Sequence, residues 1–315
     1  MASLIALIIP GFILRKLKLF TDGAVSGLVA VLLYVCQPML AVSPFLDQDV
    51  SPTLSLAGLM GLSFLFSLIG HIIVFFLAKL IFMKWKNRES ASAYTFASVF
   101  TNCGFLGIPF VKMLTNSSIA VLFAVIYNIA FNMLLWTLGM YILTKDKKAI
   151  SIKKAFLNPS IVPLAISLPL FFIPQINIIS GTPIANSISL LANMSAPLSM
   201  IIVGIKLADT GIINALKGTG NYIGSLVRLI LAPGIMLGLA YALTFIPYFN
   251  YGAALLALGV PVILMGMPPA SMIVSFAEKT NRAKVASTKI FLTATLMSVI
   301  TMPLLIIIIN AIGLV

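Results

Sequence analysis

The chain has 315 residues, of which 61% are hydrophobic and 9% are charged, and its mean hydropathy is +1.14. This composition lies far outside the range of soluble globular proteins and indicates an integral membrane protein. The formal net charge of +13 does not point to nucleic acid, because the basic residues are spread over short polar breaks between apolar runs. We therefore expect the lipid bilayer, and no nucleic acid, as a partner.

Ten apolar runs are separated by these polar breaks, and most are long enough to cross the ~30 Å hydrocarbon core as helices. The predicted spans are residues 2–14, 23–46, 53–82, 91–114, 117–144, 156–174, 183–207, 220–246, 252–277 and 285–313. The first span is short and lacks the marks of a signal peptide, so we interpret it as a helix that starts at the membrane edge or continues upstream. The sequence thus predicts an all-α polytopic membrane protein.

Basic residues cluster in alternate loops, and this pattern orients the spans. Lys and Arg follow the odd-numbered spans, at residues 15–18, 84–88, 145–154, 206–217 and 279–284. The other loops hold Asp47 and Asp49 or no charge, apart from Lys112. The positive-inside rule then predicts a multi-pass protein of the cell membrane with both termini on the extracytoplasmic side. Cys36 and Cys103 form neither a metal nor a disulfide pattern, and we expect no metal or cofactor.

The sequence also contains a weak internal repeat. An offset of 159 residues places three prolines of the first half on prolines of the second half: Pro10 on Pro169, Pro38 on Pro197, and Pro109 on Pro268. Each half then holds five spans, in residues 1–144 and 156–315, within a single membrane domain of residues 1–315. Because five is odd, the second half enters the membrane from the opposite side. Such inverted repeats are typical of secondary transporters.

The later part of the fourth span, FTNCGFLGIPFVKML at residues 100–114, contains residues that disfavour a regular helix: Asn102, Gly104, Gly107 and Pro109. A proline kink is one interpretation. The corresponding part of the ninth span, from Gly259 to Pro269, is also rich in Gly and Pro, and this pairing favours two broken helices that cross. Their converging N-termini would suit a carboxylate, and Asn102 would add a hydrogen-bond donor and an acceptor.

His71 and Arg228 are ionisable side chains well inside predicted spans. His71, the only histidine, is either a proton relay or a neutral packing residue. Arg228, about eight residues into the eighth span, could bind a carboxylate anion, extend to the inner surface, or cap a neighbouring helix.

Several uncharged polar residues lie near the predicted crossing. Asn128 and Asn132 share one face of the fifth span, where they either bond to other helices or line a substrate path. Gln37 and Ser199 flank the repeat-related prolines of the second and seventh spans. The predicted substrate site comprises Asn102, Cys103, Gly104, Pro109, Gln37, Ser199, Asn128, Asn132, Pro261, Pro268 and Ser271.

The segment TNCGFLGIP at residues 101–109 resembles the asparagine to Gly-Ile-Pro element of the auxin efflux carrier family. Six further stretches resemble elements of that family in the same order. These are GFILRKL at 11–17, QPML at 37–40, LNP at 157–159, APL at 196–198 before Gly204, RLILAP at 228–233, and MPPA at 267–270 before FAE at 276–278.

This resemblance implies ten helices in two inverted repeats, with crossing fourth and ninth helices similar to those of sodium/proton antiporters and bile-acid symporters. Helices one, two, six and seven would form a scaffold, and helices three to five and eight to ten a mobile transport domain. Substrate would bind between the two, with Asn102 in contact, and cross by an elevator-like movement. The resemblance also leads us to expect a homodimer formed through the scaffold.

Plant relatives carry auxin anions, and bacterial relatives are commonly assigned to dicarboxylates such as malate or malonate. This chain lacks the long hydrophilic loop of many plant carriers, which favours a microbial organic-acid permease. It also lacks the acid of their third helix, since no Asp or Glu lies between Asp49 and Glu89. A coupling proton therefore stays an open expectation, with His71 as its candidate relay.

Two other classes of function compete with a carrier. A channel or membrane receptor for a small carboxylate could also use two crossed breaks. An intramembrane hydrolase needs paired aspartates, zinc ligands or a serine and histidine, and one histidine with no mid-span acid leaves only the last. We therefore predict a secondary transporter of small organic anions and no enzyme.

Overall fold

The computed structural model describes residues 6–46, 53–146, 182–210, 218–249 and 252–315, together with Lys148, Ile150 and Val162. These residues form helices, and the sixth predicted span, 156–174, lies outside them apart from Val162. The helices are α1 (Ile8–Lys16), α2 (residues 22–42), α3 (Leu54–Phe82), α4 (Arg88–Val99), α5 (Cys103–Thr115), α6 (Ser118–Thr144), α7 (Pro183–Asn193), α8 (Ser195–Thr210), α9 (Thr219–Thr244), α10 (Ala253–Gly266), α11 (Met272–Thr280) and α12 (Lys284–Ile312).

The described helices coincide with the predicted spans within a few residues. The fourth span corresponds to the pair α4 and α5, and the ninth to α10 and α11. Several helices begin where a hydroxyl or amide side chain accepts the orphan N–H of the first turn, as Thr53 does from Leu56 and Asn87 from Ser90. Polar residues in the loops thus set where the apolar helices start.

Within the described part of the chain, six stretches are long and apolar enough to cross a membrane: Asp22–Leu40, Leu54–Phe82, Ser118–Thr144, Pro183–Ile202, Thr219–Thr244 and Lys284–Ile312. Their outward faces carry large apolar side chains such as Ile69, Phe76, Leu226, Ile230 and Ile307. A soluble protein would not expose such a belt, whereas lipid solvates it. The fold is that of an all-α polytopic membrane protein, as predicted.

Four helices contain a five-residue π-helical segment: Leu32–Cys36 in α2, Cys103–Gly107 in α5, Leu135–Gly139 in α6 and Val227–Leu231 in α9. Three of these segments are followed, after one intervening residue, by a proline: Pro38, Pro109 or Pro233. Proline has no N–H, and its ring would clash with the carbonyl four residues earlier in an α-helix. The wider π turn accommodates the ring, and it lets the preceding residue bond five residues back, as Ile108 does to Cys103.

The helices pack in two groups. In the first, α1 packs along α8, and α2 packs on α7. In the second, α3 packs on α4 and α6, α9 on α10 and α12, and α10 also on α6. Contacts between the groups are fewer and include those of α5 with α8.

Two glycines make the contact between α1 and α8 possible. A Cβ added at Gly11 would lie 2.0 Å from the carbonyl oxygen of Ile201, and one added at Gly204 would lie 2.0 Å from that of Ile8. Each glycine therefore lets the opposite backbone approach directly. Close approach through small residues is a usual means of helix association in lipid, where the hydrophobic effect between helices is absent.

Each group also has its own ionic cluster at helix ends. In the first group, Arg15 donates to Asp209 and Asp22, both at 2.5 Å, and thereby joins α1, α8 and α2. These hydrogen bonds, the one to Asp209 foremost, raise the pKa of Arg15. In the second group, Arg282 lies 4.0 Å from Glu89 and donates to the carbonyl of Thr144, which joins the end of α6 to α4 and the loop before α12.

We predict that Gly204→Ala and Gly11→Ala each lower the free energy of unfolding by about 1–3 kcal/mol, because the new Cβ forces two backbones apart. Gly238→Ala is the matched control, since a Cβ there meets nothing within 4 Å. Thermal unfolding in one detergent measures all three variants. If Gly238→Ala unfolds as early as the other two, the close approach of α1 and α8 does not hold.

Candidate functional site

The interrupted helices α4–α5 and α10–α11 cross in direct contact. The chain is extended between α4 and α5 and again between α10 and α11, and an isolated antiparallel bridge joins Thr101 to Pro269. The backbone N–H of Asn102 donates to the carbonyl of Pro268, and the backbone N–H of Ala270 donates to the carbonyl of Phe100, each at 2.8 Å. Each break thus satisfies backbone groups that the other leaves unpaired.

The structure locates the first break a few residues before the glycines and the proline that indicated it, and the second break at Pro268 and Pro269. Gly104 and Gly107 lie in the π segment of α5, Pro109 lies at the start of its α-helical part, and Pro261 lies inside α10. Pro109 is accommodated there because the widened turn makes room for its ring. The first break occurs at Phe100–Asn102, which contains neither Gly nor Pro, so contacts with the second break hold it open.

Arg228 lies behind this crossing and caps two helices. Its side chain is fully buried. Nη1 donates to the carbonyls of Ser98 at 2.7 Å and Val99 at 3.3 Å, and Nε donates to that of Met267 at 3.1 Å. These are the terminal carbonyls of α4 and the first carbonyl after α10. Nη2 has no hydrogen-bond partner among the described residues.

A cavity of about 170 Å³ lies against the N-termini of α5 and α11, and the residues whose carbonyls Arg228 caps do not line it. It is lined by Tyr34, Gln37, Thr101, Asn102, Gly104, Phe105, Asn128, Phe131, Asn132, Trp136, Ala270, Ser271 and Met272. None of these side chains carries a formal charge at neutral pH. The positive potential at this wall comes from the two helix N-termini, whose first N–H groups point out of the helix.

Three asparagines form the polar part of the wall. Asn132 donates to the Asn128 backbone oxygen at 2.8 Å and to its Oδ1 at 3.1 Å, and the Cys103 thiol donates to the same Oδ1 at 3.4 Å. Asn102 is 2% exposed, and its Nδ2 has no partner among the described residues. A buried amide donor without an acceptor costs free energy, so this group is ready to bind a ligand.

Gln37 connects α2 to the same wall. Its Nε2 donates to the carbonyl of Gly104 at 2.8 Å. In the π segment, that carbonyl would accept the N–H of the residue five positions later, which is Pro109 and has none. The proline therefore frees an acceptor in the membrane interior, and a side chain from the other helix group satisfies it.

These features, a helical membrane chain with two crossing breaks and a small cavity lined by amides and aromatic rings, agree with a comparison of the sequence with known families. The family described as membrane transport protein matches residues 1–306. The chain belongs to that family. This match confirms the resemblance to the auxin efflux carriers. A search of curated proteins finds no match.

The structure brings together many of the predicted site residues at the first cavity. Asn102, Gly104, Gln37, Asn128, Asn132 and Ser271 line the cavity. Cys103 is fully buried and bonds to Asn128, and Pro268 forms part of the crossing. Pro109 lines a second cavity, of about 330 Å³, together with Lys112, Asn116 and Asn193. Ser199, Pro261, His71 and Arg228 do not line the first cavity.

His71 lies in the interior of the second helix group. Its Nδ1 lies 2.7 Å from the carbonyl oxygen of Ser67, and because a carbonyl only accepts, Nδ1 carries the proton. The ring is fully buried, and its centroid lies 5.0 Å from that of Tyr127. Nε2 has no hydrogen-bond partner in the described part of the chain.

The predicted site omitted the aromatic side chains and the methionine of the wall. Tyr34, Phe105, Phe131, Trp136 and Met272 line the cavity as well. The sequence carried a signal for three of them, because Tyr34 lies three residues from Gln37, Phe131 three from Asn128, and Trp136 four from Asn132. Residues at these spacings share one face of a helix.

We predict that Gln37→Met lowers the free energy of unfolding by about 1–3 kcal/mol, because the carbonyl of Gly104 then lacks a donor. In a Pro109→Ala background the same change costs less, since an alanine at that position supplies an N–H. A double-mutant cycle by thermal unfolding measures this coupling. Equal costs in both backgrounds would show that the proline does not create the need for Gln37.

Proposed function

We propose that the protein is a secondary active transporter that carries small organic anions and binds them in the cavity at the helix crossing. The observation that carries this proposal is Nδ2 of Asn102, a buried donor without a described partner at a cavity wall. The wall also contains two helix N-termini, which are ready-made sites for anions. Membership of a transport family supports transport rather than catalysis.

The charges around the cavity favour an anion over a cation. A desolvated cation needs oxygen ligands and usually a carboxylate, and the described lining contains no Asp or Glu. Amide N–H groups and positive helix ends instead replace the hydration shell of a carboxylate. The volume of about 170 Å³ is below the ~300–1,000 Å³ of sites for drug-sized ligands, so the substrate is small.

The two helix groups support an elevator-type movement. We propose that α1, α2, α7 and α8 form the scaffold and that the other described helices move as the transport domain. Each group has its own ionic cluster, around Arg15 or around Arg282, so each can move as a body. The bond from Gln37 to Gly104 joins the two groups and would break and re-form in each cycle.

The basic loops orient this carrier in a cell membrane with both termini on the extracytoplasmic side. In that orientation α6 and α11 run from the crossing toward the cytoplasm. The wall residues Trp136 and Met272 then lie on the cytoplasmic side of Asn102. The cavity at the crossing would belong to an inward-facing state, and the second cavity, around Lys112, would lie toward the outside.

We predict that Asn102→Ala keeps the fold but lowers the binding of a carboxylate substrate by at least about tenfold, because the ligand loses its amide donor. The matched control is Asn186→Ala, whose side chain is exposed on α7. A thermal-shift screen of small organic acids, followed by uptake into proteoliposomes, measures the effect. Undiminished uptake by Asn102→Ala would refute the assignment, as would currents far above the turnover of a carrier.

We also predict that a covalent link between the two groups stops uptake. Gln37→Cys with Gly104→Cys, joined by a short bifunctional thiol reagent, fixes α2 to α5. The background carries Cys36→Ala and Cys103→Ala. Because Gln37, Gly104 and Cys103 belong to the proposed site, the double-cysteine variant must retain uptake before it is joined. The control pair, Arg15→Cys with Asp209→Cys, lies within the scaffold and should leave uptake intact when joined. Continued uptake by the Gln37–Gly104 link would exclude relative movement of the groups.

A further inference from the structure

Four helix ends meet at the crossing, and their partial charges oppose one another. Residues at the N-termini of α5 and α11 line the cavity, whereas the last residues of α4 and α10 do not. A helix end carries roughly half an elementary charge, positive at the N-terminus and negative at the C-terminus. The two pairs of ends therefore cancel to about zero unless another charge is present.

Arg228 is that charge. It is fully buried, and its described hydrogen bonds all go to carbonyls at the C-terminal ends of α4 and α10. A guanidinium stays protonated in proteins, so the charge is permanent. The seven acidic residues of the chain, Asp22, Asp47, Asp49, Glu89, Asp146, Asp209 and Glu278, lie at or beyond the ends of the predicted spans.

We infer that Arg228 is a positioning residue that offsets the two negative helix ends and leaves the cavity with a net charge of roughly +1. That charge is balanced by one carboxylate. The inference rests on the proposed function and narrows it, because it assigns the carrier to monovalent rather than divalent organic anions. Arg228 acts through the backbone of the crossing and does not line the cavity.

The rest of the wall agrees with a single charge. Away from the amides and helix ends, the cavity is lined by Tyr34, Phe105, Phe131, Trp136 and Met272. A second carboxylate directed there would lose its hydration and gain no cation and at most the single O–H of Tyr34 and N–H of Trp136 as donors, which is costly inside a membrane protein. The apolar body of a monocarboxylate would instead pack against these side chains. This inference differs from the expectation of malate or malonate, which followed from the resemblance and stays a prediction.

Matched acids test the valence. Propionate with malonate, butyrate with succinate, and 2-hydroxybutyrate with malate are compared for binding near pH ~7.5, where both carboxyl groups of the diacids are ionised. We expect at least one monocarboxylate to bind and to exceed its diacid by about tenfold or more. Monomethyl succinate, with one charge, should bind like butyrate. Equal or tighter binding of the diacids overturns this inference and leaves an anion carrier standing. Binding of none of the acids overturns the proposed function as well.

Variants of Arg228 test the source of the charge. Arg228→Gln keeps a donor but removes the charge, so it should reduce the preference for butyrate over uncharged butyramide by roughly tenfold or more. Arg228→Lys keeps the charge and should preserve that preference even if it unfolds earlier. A merely structural role would weaken both ligands alike and leave their ratio unchanged, which would refute the inference. If Arg228→Gln does not fold, loss of the preference in Arg228→Lys refutes it.

Discussion

Every backbone amide and carbonyl in a hydrocarbon core has to be hydrogen-bonded within the protein, and the crossing of α4–α5 with α10–α11 is organised by this constraint. Two helices stop in mid-membrane, and each leaves unpaired groups at its end. The antiparallel contact between Thr101 and Pro269 satisfies part of them, and Arg228 satisfies carbonyls of Ser98, Val99 and Met267. The groups that stay available face the cavity, so the requirement for hydrogen bonds also defines where a ligand can bind.

Prolines create the same need for hydrogen-bond partners within the helices, because each lacks an N–H. Pro38, Pro109 and Pro233 each follow a π segment, and these segments contain or adjoin Tyr34 and Gln37, Gly104, and Arg228 respectively. The residues that shape the site are therefore displaced from regular helical positions by a nearby missing N–H. The bond of Gln37 to Gly104 is the clearest case, since it compensates for Pro109 across the boundary between the two helix groups.

Sequence reasoning predicted the spans and the pairing of two interruptions, because apolar runs and the Gly and Pro of the fourth and ninth spans are local signals. It attributed the first break to Asn102, Gly104, Gly107 and Pro109. The chain leaves the helix at Phe100–Asn102, before the glycines and the proline, because of contacts with a segment far away in sequence, at Pro268–Ala270. The sequence left the carboxylate, snorkelling and capping roles of Arg228 open for the same reason. Asn102, Asn128 and Gln37 were found because polar residues are rare in such runs, while Phe105 and Met272 were hidden among many apolar residues.

The position of Arg228 also bears on how a carrier can release what it binds. A guanidinium in direct contact with a carboxylate forms a strong bidentate pair that is costly to separate in a medium of low dielectric constant. Here the guanidinium of Arg228 is bonded to backbone carbonyls and does not line the cavity. Its charge would therefore act on a ligand from a distance, by offsetting the negative ends of α4 and α10. In the proposed function the ligand would meet neutral donors at Asn102 and the helix ends, whose individual bonds can exchange with water. A fixed charge that does not line the cavity would thus favour entry of an anion without holding it permanently.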